Sequence, residues 1–138
     1  MITIVENEIT VSEYLDMRAR VNWRKLSEKQ AEQAIQNSLY FVKAIDENEQ
    51  IVGIGRIVGD GAVICYIQDL IVDPRFQKQK IGSLIISKLI AFVESIHEED
   101  TPMMLCLMCA KGREAFYEKH GFMARPNDNL GPGMIRFL

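Results

Sequence analysis

Residues 72–84 read VDPRFQKQKIGSL. The run that leads in, IQDLIV (67–72), is apolar and strand-like, and the run that leads out, SLIISKLIAFV (83–93), repeats its apolar residues at helical spacing. A strand that feeds a helix through a short loop exposes free backbone N–H groups. The first helical turn has no internal acceptors for them and carries a positive partial charge. Such a turn is suited to holding a phosphate. The loop here has a single glycine, Gly82, whose missing side chain lets the backbone approach ligand oxygens closely, and Arg75, Lys78 and Lys80 add positive charge at its rim. Lys80 is expected to take an ordinary negative φ, with its side chain turned away and its N–H toward the ligand.

The elements around this loop set the fold class. Met1–Val5 reads as a short strand. Thr10–Val21 is a helix that Thr10 or Ser12 can cap, with Tyr14, Leu15 and Met17/Ala19 on an apolar side. Leu26–Leu39 is a second helix, and Ser27 with Gln30 three residues on forms a capping-box pattern. YFVKAID (40–46), IVGIGRIV (51–58) and AVICYIQDLIV (62–72) are strands joined by short turns, hence an antiparallel meander. After Pro74 the stripe Ile81, Leu84/Ile85, Leu89, Phe92/Val93, Ile96 predicts a helix running to about His97. Met103–Cys109 is a buried strand. Lys111–His120 is a helix ended by Gly121, and the chain closes with strands at Phe122 and at Met134–Leu138. The order β-αα-βββ-α-β-α-ββ defines an α+β domain spanning residues 1–138, with a mixed, mostly antiparallel sheet flanked by helices. The strand–helix–strand unit from 62 to 109 makes two strands parallel and brings loops 73–82 and 109–112 to one edge.

Bulk properties narrow the function classes. A chain of 138 residues is long enough to bury roughly two-thirds of its unfolded surface. A net charge of −3 argues against a nucleic-acid binder, and the basic stretch RFQKQK has no interleaved aromatics to support one. No apolar run nears membrane-spanning length and the first residues lack the pattern of a secretory leader, so a cytoplasmic protein without a membrane partner is expected. Three cysteines do not read as a disulfide framework, and Cys106 and Cys109 lie in the apolar run MMLCLMCA, which favours buried free thiols. Two distant histidines, His97 and His120, suggest no zinc site, and no metal is expected.

The loop VDPRFQKQKIGSLI resembles the acyl-CoA loop of the GNAT superfamily of N-acetyltransferases, with its pattern Gln/Arg-x-x-Gly-x-Gly/Ala. Gln77 stands at the first position and Gly82 at the last, while Lys80 replaces the first glycine. AKGREAFYEKHGF (110–122) is similar to the family's late motif, and the element order matches over most of the chain. The resemblance implies acetyl-CoA as co-substrate and a small-molecule amine, polyamine- or arylalkylamine-like, as acceptor. It also implies a homodimer as a common assembly. The cofactor would be held by Leu70, Ile71 and Val72 along the strand, by Gln77, Lys78, Gln79, Lys80, Ile81, Gly82 and Ser83 in the loop, and by Lys111, Gly112, Phe116 and Tyr117 beyond. One backbone N–H near Leu70 would polarise the thioester carbonyl.

The chemistry needs a proton acceptor for an amine of pKa about 10.4 and a proton donor for a thiolate whose conjugate acid lies near 8.5. Tyr117 is the expected donor. The long strand offers Tyr66, Gln68 and Asp69. YIQDLIVDPRFQKQKIGS is similar to the corresponding segment of spermidine/spermine N-acetyltransferases, where an acidic pair occupies the positions of Gln68 and Asp69. Glutamine cannot take a proton at neutral pH, so Asp69, a water chain or a carboxylate elsewhere would serve. A structural role for Asp69, bonded to neighbouring backbone, is the competing expectation. Ala110 replaces the asparagine that often opens the late motif. The resemblance implies that the region after the first helix, with Arg18, Arg20 and Trp23, walls the acceptor site, and Trp23, Tyr66 and Asp69 are the expected substrate contacts; a solvated role is the alternative for these side chains. Gly53 and Gly55 share one strand face and are expected to leave space above it, and Arg56, Asn127 and Asp128 are expected either to reach a substrate or to be solvated or turn-stabilising. A catalytically silent acyl-CoA sensor and a protein- or peptide-amine acetyltransferase are the alternatives.

Overall fold

The computed structural model describes all 138 residues. Its elements are β1 (Thr3–Glu6), α1 (Val11–Arg20), α2 (Glu28–Gln36), β2 (Tyr40–Ile45), β3 (Ile51–Gly59), β4 (Ile64–Val72), α3 (Ile81–Ile96), β5 (Met104–Leu107) and α4 (Glu114–Glu118), with a short 3-10 turn at Pro74–Phe76. Five strands form one sheet in the order β1-β2-β3-β4-β5; the first three pairings are antiparallel and β4–β5 is parallel. No helix is long and apolar enough to cross a membrane.

Local chemistry starts the helices where the sequence says they should start. Thr10 and Glu13 bond each other's backbone N–H in a capping box, and Ser27 and Gln30 do the same for α2. Each pair satisfies two donors that the first turn would otherwise leave bare. The helices then cover opposite faces of the sheet. Ile81, Ile85, Ile86, Leu89 and Val93 of α3 pack on Val42, Ala44, Ile57, Cys65 and Ile67. Tyr14 and Met17 of α1 and Ala31 of α2 pack with Phe41, Ile54 and Ile71 on the other face.

Gly53 and Gly55 leave no space. A Cβ on Gly53 would lie 2.7 Å from Ile85 Cδ1, and one on Gly55 would lie 2.6 Å from Ile85 Cγ2 and 2.9 Å from Leu89 Cδ1. These glycines let α3 press onto β3, on the face away from α1 and α2. An alternating strand pattern shows which positions share a face but not what covers it.

The end of the chain also differs from expectation. The two closing strands are not formed: residues 122–138 lie outside the sheet, and β5 is its edge. The helix expected over Lys111–His120 is confined to Glu114–Glu118, and a turn follows it to Gly121, which takes φ +91°. Asn127 is a turn residue; its Oδ1 accepts from the N–H groups of Asn129 and Leu130, while Asp128 is exposed. Met134, Ile135 and Phe137 are largely exposed, and Phe137 stacks beneath the guanidinium of Arg24. With only four apolar residues after a Pro/Gly-rich turn, this segment has little burial to hold it against β5.

Candidate active site

β4 and β5 pair only from Ile64↔Met104 to Ile67↔Leu107. β5 then ends, while β4 runs on to Val72 with a partner on the β3 side alone. The sheet therefore parts at Gln68, and the β5-facing backbone of residues 68–72 is left open. At the same place β4 carries a bulge: Ile71 pairs with Ile54 and Gln68 with Arg56, so Asp69 and Leu70 together oppose Gly55. Asp69 takes φ +62° to make it. A bulge bends the strand and re-aims its side chains, here beside the opening.

The carboxyl end of β4 leads through Pro74–Phe76 to the start of α3. None of the seven consecutive N–H groups from Gln77 to Ser83 has a main-chain acceptor; the next amide, that of Leu84, bonds Lys80 O. Seven free donors at the start of a sixteen-residue helix form a cradle for an anion such as a diphosphate. The loop gains its curvature from Lys78 and Lys80, at φ +67° and +62°. This corrects the expectation that position 80 has a negative φ. The left-handed conformation is the one glycine adopts without penalty, which accounts for the glycine of the family pattern; lysine is held there at a cost of about 1–2 kcal/mol. Arg75 does not join the rim as a free cation. It donates to Asp73 at 2.8 and 3.2 Å, and Asp73 also accepts from Arg20 at 2.9 Å. These partners, Arg75 first, hold the Asp73 carboxyl down at about 2.

Gly82 faces the late motif, at distances where a Cβ would make ordinary contacts. A Cβ there would meet Phe116 Cζ at 3.4 Å and Val72 Cγ2 at 3.7 Å. The start of α3 thus sits against α4, which brings the loop, the open stretch of β4 and the late motif together. Phe116 and Tyr117 stand edge to face at 5.0 Å, and Tyr117 also meets Phe122 at 6.0 Å. Tyr117 is half-buried, and desolvation pushes its phenol above the usual value. Lys111 and Gly112 form the exposed turn before α4, with Gly112 at φ +89°. Cys109 is exposed rather than buried, Cys106 is half-buried and Cys65 fully buried, all as free thiols.

Asp69 is elsewhere engaged. It is 3 % exposed and accepts from the Tyr14 hydroxyl, from Arg18 Nη1 at 2.9 Å and from Arg56 Nε at 3.0 Å. A buried carboxylate bound to two guanidiniums and a phenol is shielded from a substrate, and its cationic partners favour the ionised form, so this geometry speaks for a structural carboxylate and against a proton acceptor. The competing expectation had the wrong partners: they are side chains from α1 and β3, not neighbouring backbone. Burial and the Asp69 charge push the Tyr14 phenol up to about 12. Sequence reasoning treated Tyr14 as an apolar helix residue and missed this cluster. A signal was available, since Arg56 interrupts IVGIGRIV and Asp69 interrupts IQDLIV. Opposite charges in adjacent apolar strands need each other.

On the α1–α2 face, Arg56 and Val58 of β3 lie in register beside Gln68 and Tyr66 of β4. Arg56 and Val58, with Tyr14, form the floor of an open cleft of about 480 Å³, walled by Leu26, Gln30, Gln33, Ala34 and Asn37. Trp23, 40 % exposed, stacks on Arg18 at 5.3 Å near this cleft rather than lining it.

The profile of the acetyltransferase (GNAT) domain matches residues 10–137. The chain is 28% identical to a GNAT-family acetyltransferase from Streptococcus pneumoniae, with a TM-score of 0.83 over 100% of this chain and 98% of that one. A Staphylococcus aureus protein of unknown function superposes with a TM-score of 0.85 at 25% identity, covering 99% and 100%. Among curated proteins, an uncharacterized N-acetyltransferase of Pyropia yezoensis is 27% identical over 114 residues, 80% of this chain. The chain spans 63% of that relative's length, and 35% of that of a chloroplastic GCN5-related N-acetyltransferase of Arabidopsis thaliana, with which it shares 29% identity over 90 residues. The parted strands, the amide cradle and this match over nearly the whole chain lead to one conclusion: the protein belongs to the GNAT acetyltransferase family, and its fold is an acetyltransferase domain.

Proposed function

We propose that the protein transfers the acetyl group of acetyl-CoA to a primary amine of a small molecule, by direct attack while both are bound. The observation that carries this reading is the coincidence of an open β4 backbone, from Gln68 to Val72, with seven unpartnered amides from Gln77 to Ser83. An extended chain with amide groups can add to the open edge of β4 as a further strand, through the backbone of Leu70 and Val72. A diphosphate fits the amide cradle, with Lys78 and Lys80 adjacent. Both requirements are met by coenzyme A, which supplies the activated acyl group as a thioester.

In this reading the amine nitrogen bonds to the acyl carbon, the carbon–sulfur bond breaks, and the thiolate takes a proton from Tyr117. Desolvation raises the Tyr117 phenol above its usual value, which favours the protonated donor as pH rises. The proton lost by the amine leaves to solvent through the open cleft. Gln68, at the parting of the strands, can orient a water but cannot itself accept that proton.

The test is thiol release from acetyl-CoA with a panel of polyamines, arylalkylamines, amino acids and peptides, run from pH 7 to 10. Turnover is expected to rise with pH as the amine deprotonates, without an alkaline fall below about pH 10. Tyr117→Phe is expected to lower kcat by about 10²-fold or more, within the usual range for a general acid. Unchanged turnover in that variant across the pH range removes Tyr117 from the mechanism.

A further inference from the structure

The buried cluster on the α1–α2 face is out of balance. One carboxylate, Asp69, faces two guanidiniums, Arg18 and Arg56, and neither arginine has another acidic partner. Acceptors run short as well as charge. Arg18 Nε is buried with no hydrogen-bond partner. Arg56 spends Nε on Asp69, makes only long contacts from Nη1 to Ala34 O at 3.4 Å and Ser38 Oγ at 3.3 Å, and has no protein partner for Nη2. This under-used arginine lines the floor of the cleft, whose polar wall is made of neutral amides: Gln30, Gln33 and Asn37. In the sheet, Arg56 is the direct neighbour of Gln68, where β4 and β5 part. Adjacent strands are about 4.8 Å apart, so the guanidinium lies within a small molecule's length of the opening.

We propose that the acceptor amine also carries a carboxylate, and that Arg56 binds it from the floor of this cleft, presenting the amine a few bonds away at the parted strands. The inference rests on the acetyl-transfer reading for its biological sense, but the binding site itself does not. A guanidinium with a free edge matches a planar carboxylate, and the ligand would bring the cluster the negative charge it lacks. The amides of Gln33 and Asn37 can bond the remaining carboxylate lone pairs. A diamine or polyamine would instead set a second cation against a cluster that is already net positive. Gln33 makes no hydrogen bond or ion pair with the Asp69 cluster, so a change there probes the cleft without removing a partner of the ion pairs.

Two measurements test this. Calorimetry compares an amino acid with its amide and with a diamine of equal length, each added to the protein with coenzyme A present. The free acid is expected to bind at least tenfold more tightly than the amide, and Arg56→Lys, which keeps a charge for Asp69 but loses the fork, is expected to erase that difference. The kinetic arm uses Gln33→Glu, which is expected to lower kcat/KM for the acid about tenfold, through KM, and to raise it for the diamine. Equal binding of acid and amide, or tighter binding of the diamine, overturns the proposal even if the enzyme acetylates amines. Selective acid binding without acetyl transfer upholds this site and instead counts against the reading of the reaction.

Discussion

On the α3 face of the sheet, Gly53 and Gly55 meet Ile85 and Leu89 so closely that a single added carbon would collide. On the α1–α2 face the neighbouring position of the same strand, Arg56, is an ion-paired arginine at the bottom of a cleft. Successive residues of β3 therefore serve opposite ends. Gly53 and Gly55 carry no side chain, so that α3 can lie close, while Arg56 beside them carries a charge that only a buried carboxylate makes tolerable. The contrast shows why rigidity and chemistry are separated by one sheet. The apolar face fixes where α3 begins, and hence where its free amides point. The charged face keeps its ion pairs buried at the floor of a cleft bordered by polar side chains.

The largest expected effect comes from unbalancing the charged face. Asp69→Ala leaves two buried guanidiniums without their only anion, and is expected to cost about 3–5 kcal/mol in urea denaturation. A loss below about 1 kcal/mol would mean that water reaches Arg18 and Arg56, and that the face is not a closed cluster. Gly55→Ala attacks the other face. Its new methyl would force Ile85 or Leu89 off their rotamers, at an expected cost of about 1–3 kcal/mol, with coenzyme A affinity falling as the start of α3 shifts. A neutral result would show that α3 can move without consequence.

The smallest effect belongs to the loop between the faces. Lys80→Gly relieves a left-handed residue, worth about 1–2 kcal/mol, against the extra freedom of glycine in the unfolded chain, about 0.4–1 kcal/mol. A net stabilisation of up to about 1 kcal/mol is expected, with little change in coenzyme A affinity because the backbone N–H is kept. A marked loss of affinity would assign the lysine ammonium a direct part in holding phosphate.

What the sequence reveals follows the range of the interactions. Capping boxes at Thr10 and Ser27, the β2–β3–β4 meander and the apolar stripe of α3 depend on residues a few positions apart, and all are formed as read. The loop before α3 is likewise recognisable as an anion cradle. Its backbone sign is not, since nothing in QKQK forbids a negative φ; only the closed shape of the turn sets Lys78 and Lys80 at positive values. The partners of Asp69 lie 51, 55 and 13 positions away, so its burial depends on how α1 and β3 dock against β4 rather than on any local pattern. The closing strands failed for a related reason. The apolar residues at 134, 135, 137 and 138 suit a strand, but a strand exists only where an edge receives it.

The central claim is that the free amides of Gln77–Ser83 and the open edge of β4 receive coenzyme A. Amide-resolved NMR during titration with coenzyme A tests it most directly. The account predicts the largest shifts at the N–H groups of residues 77–83 and at Leu70 and Val72, saturating together with one affinity. Saturation of the protein with those amides unmoved, or no binding at all, would contradict it.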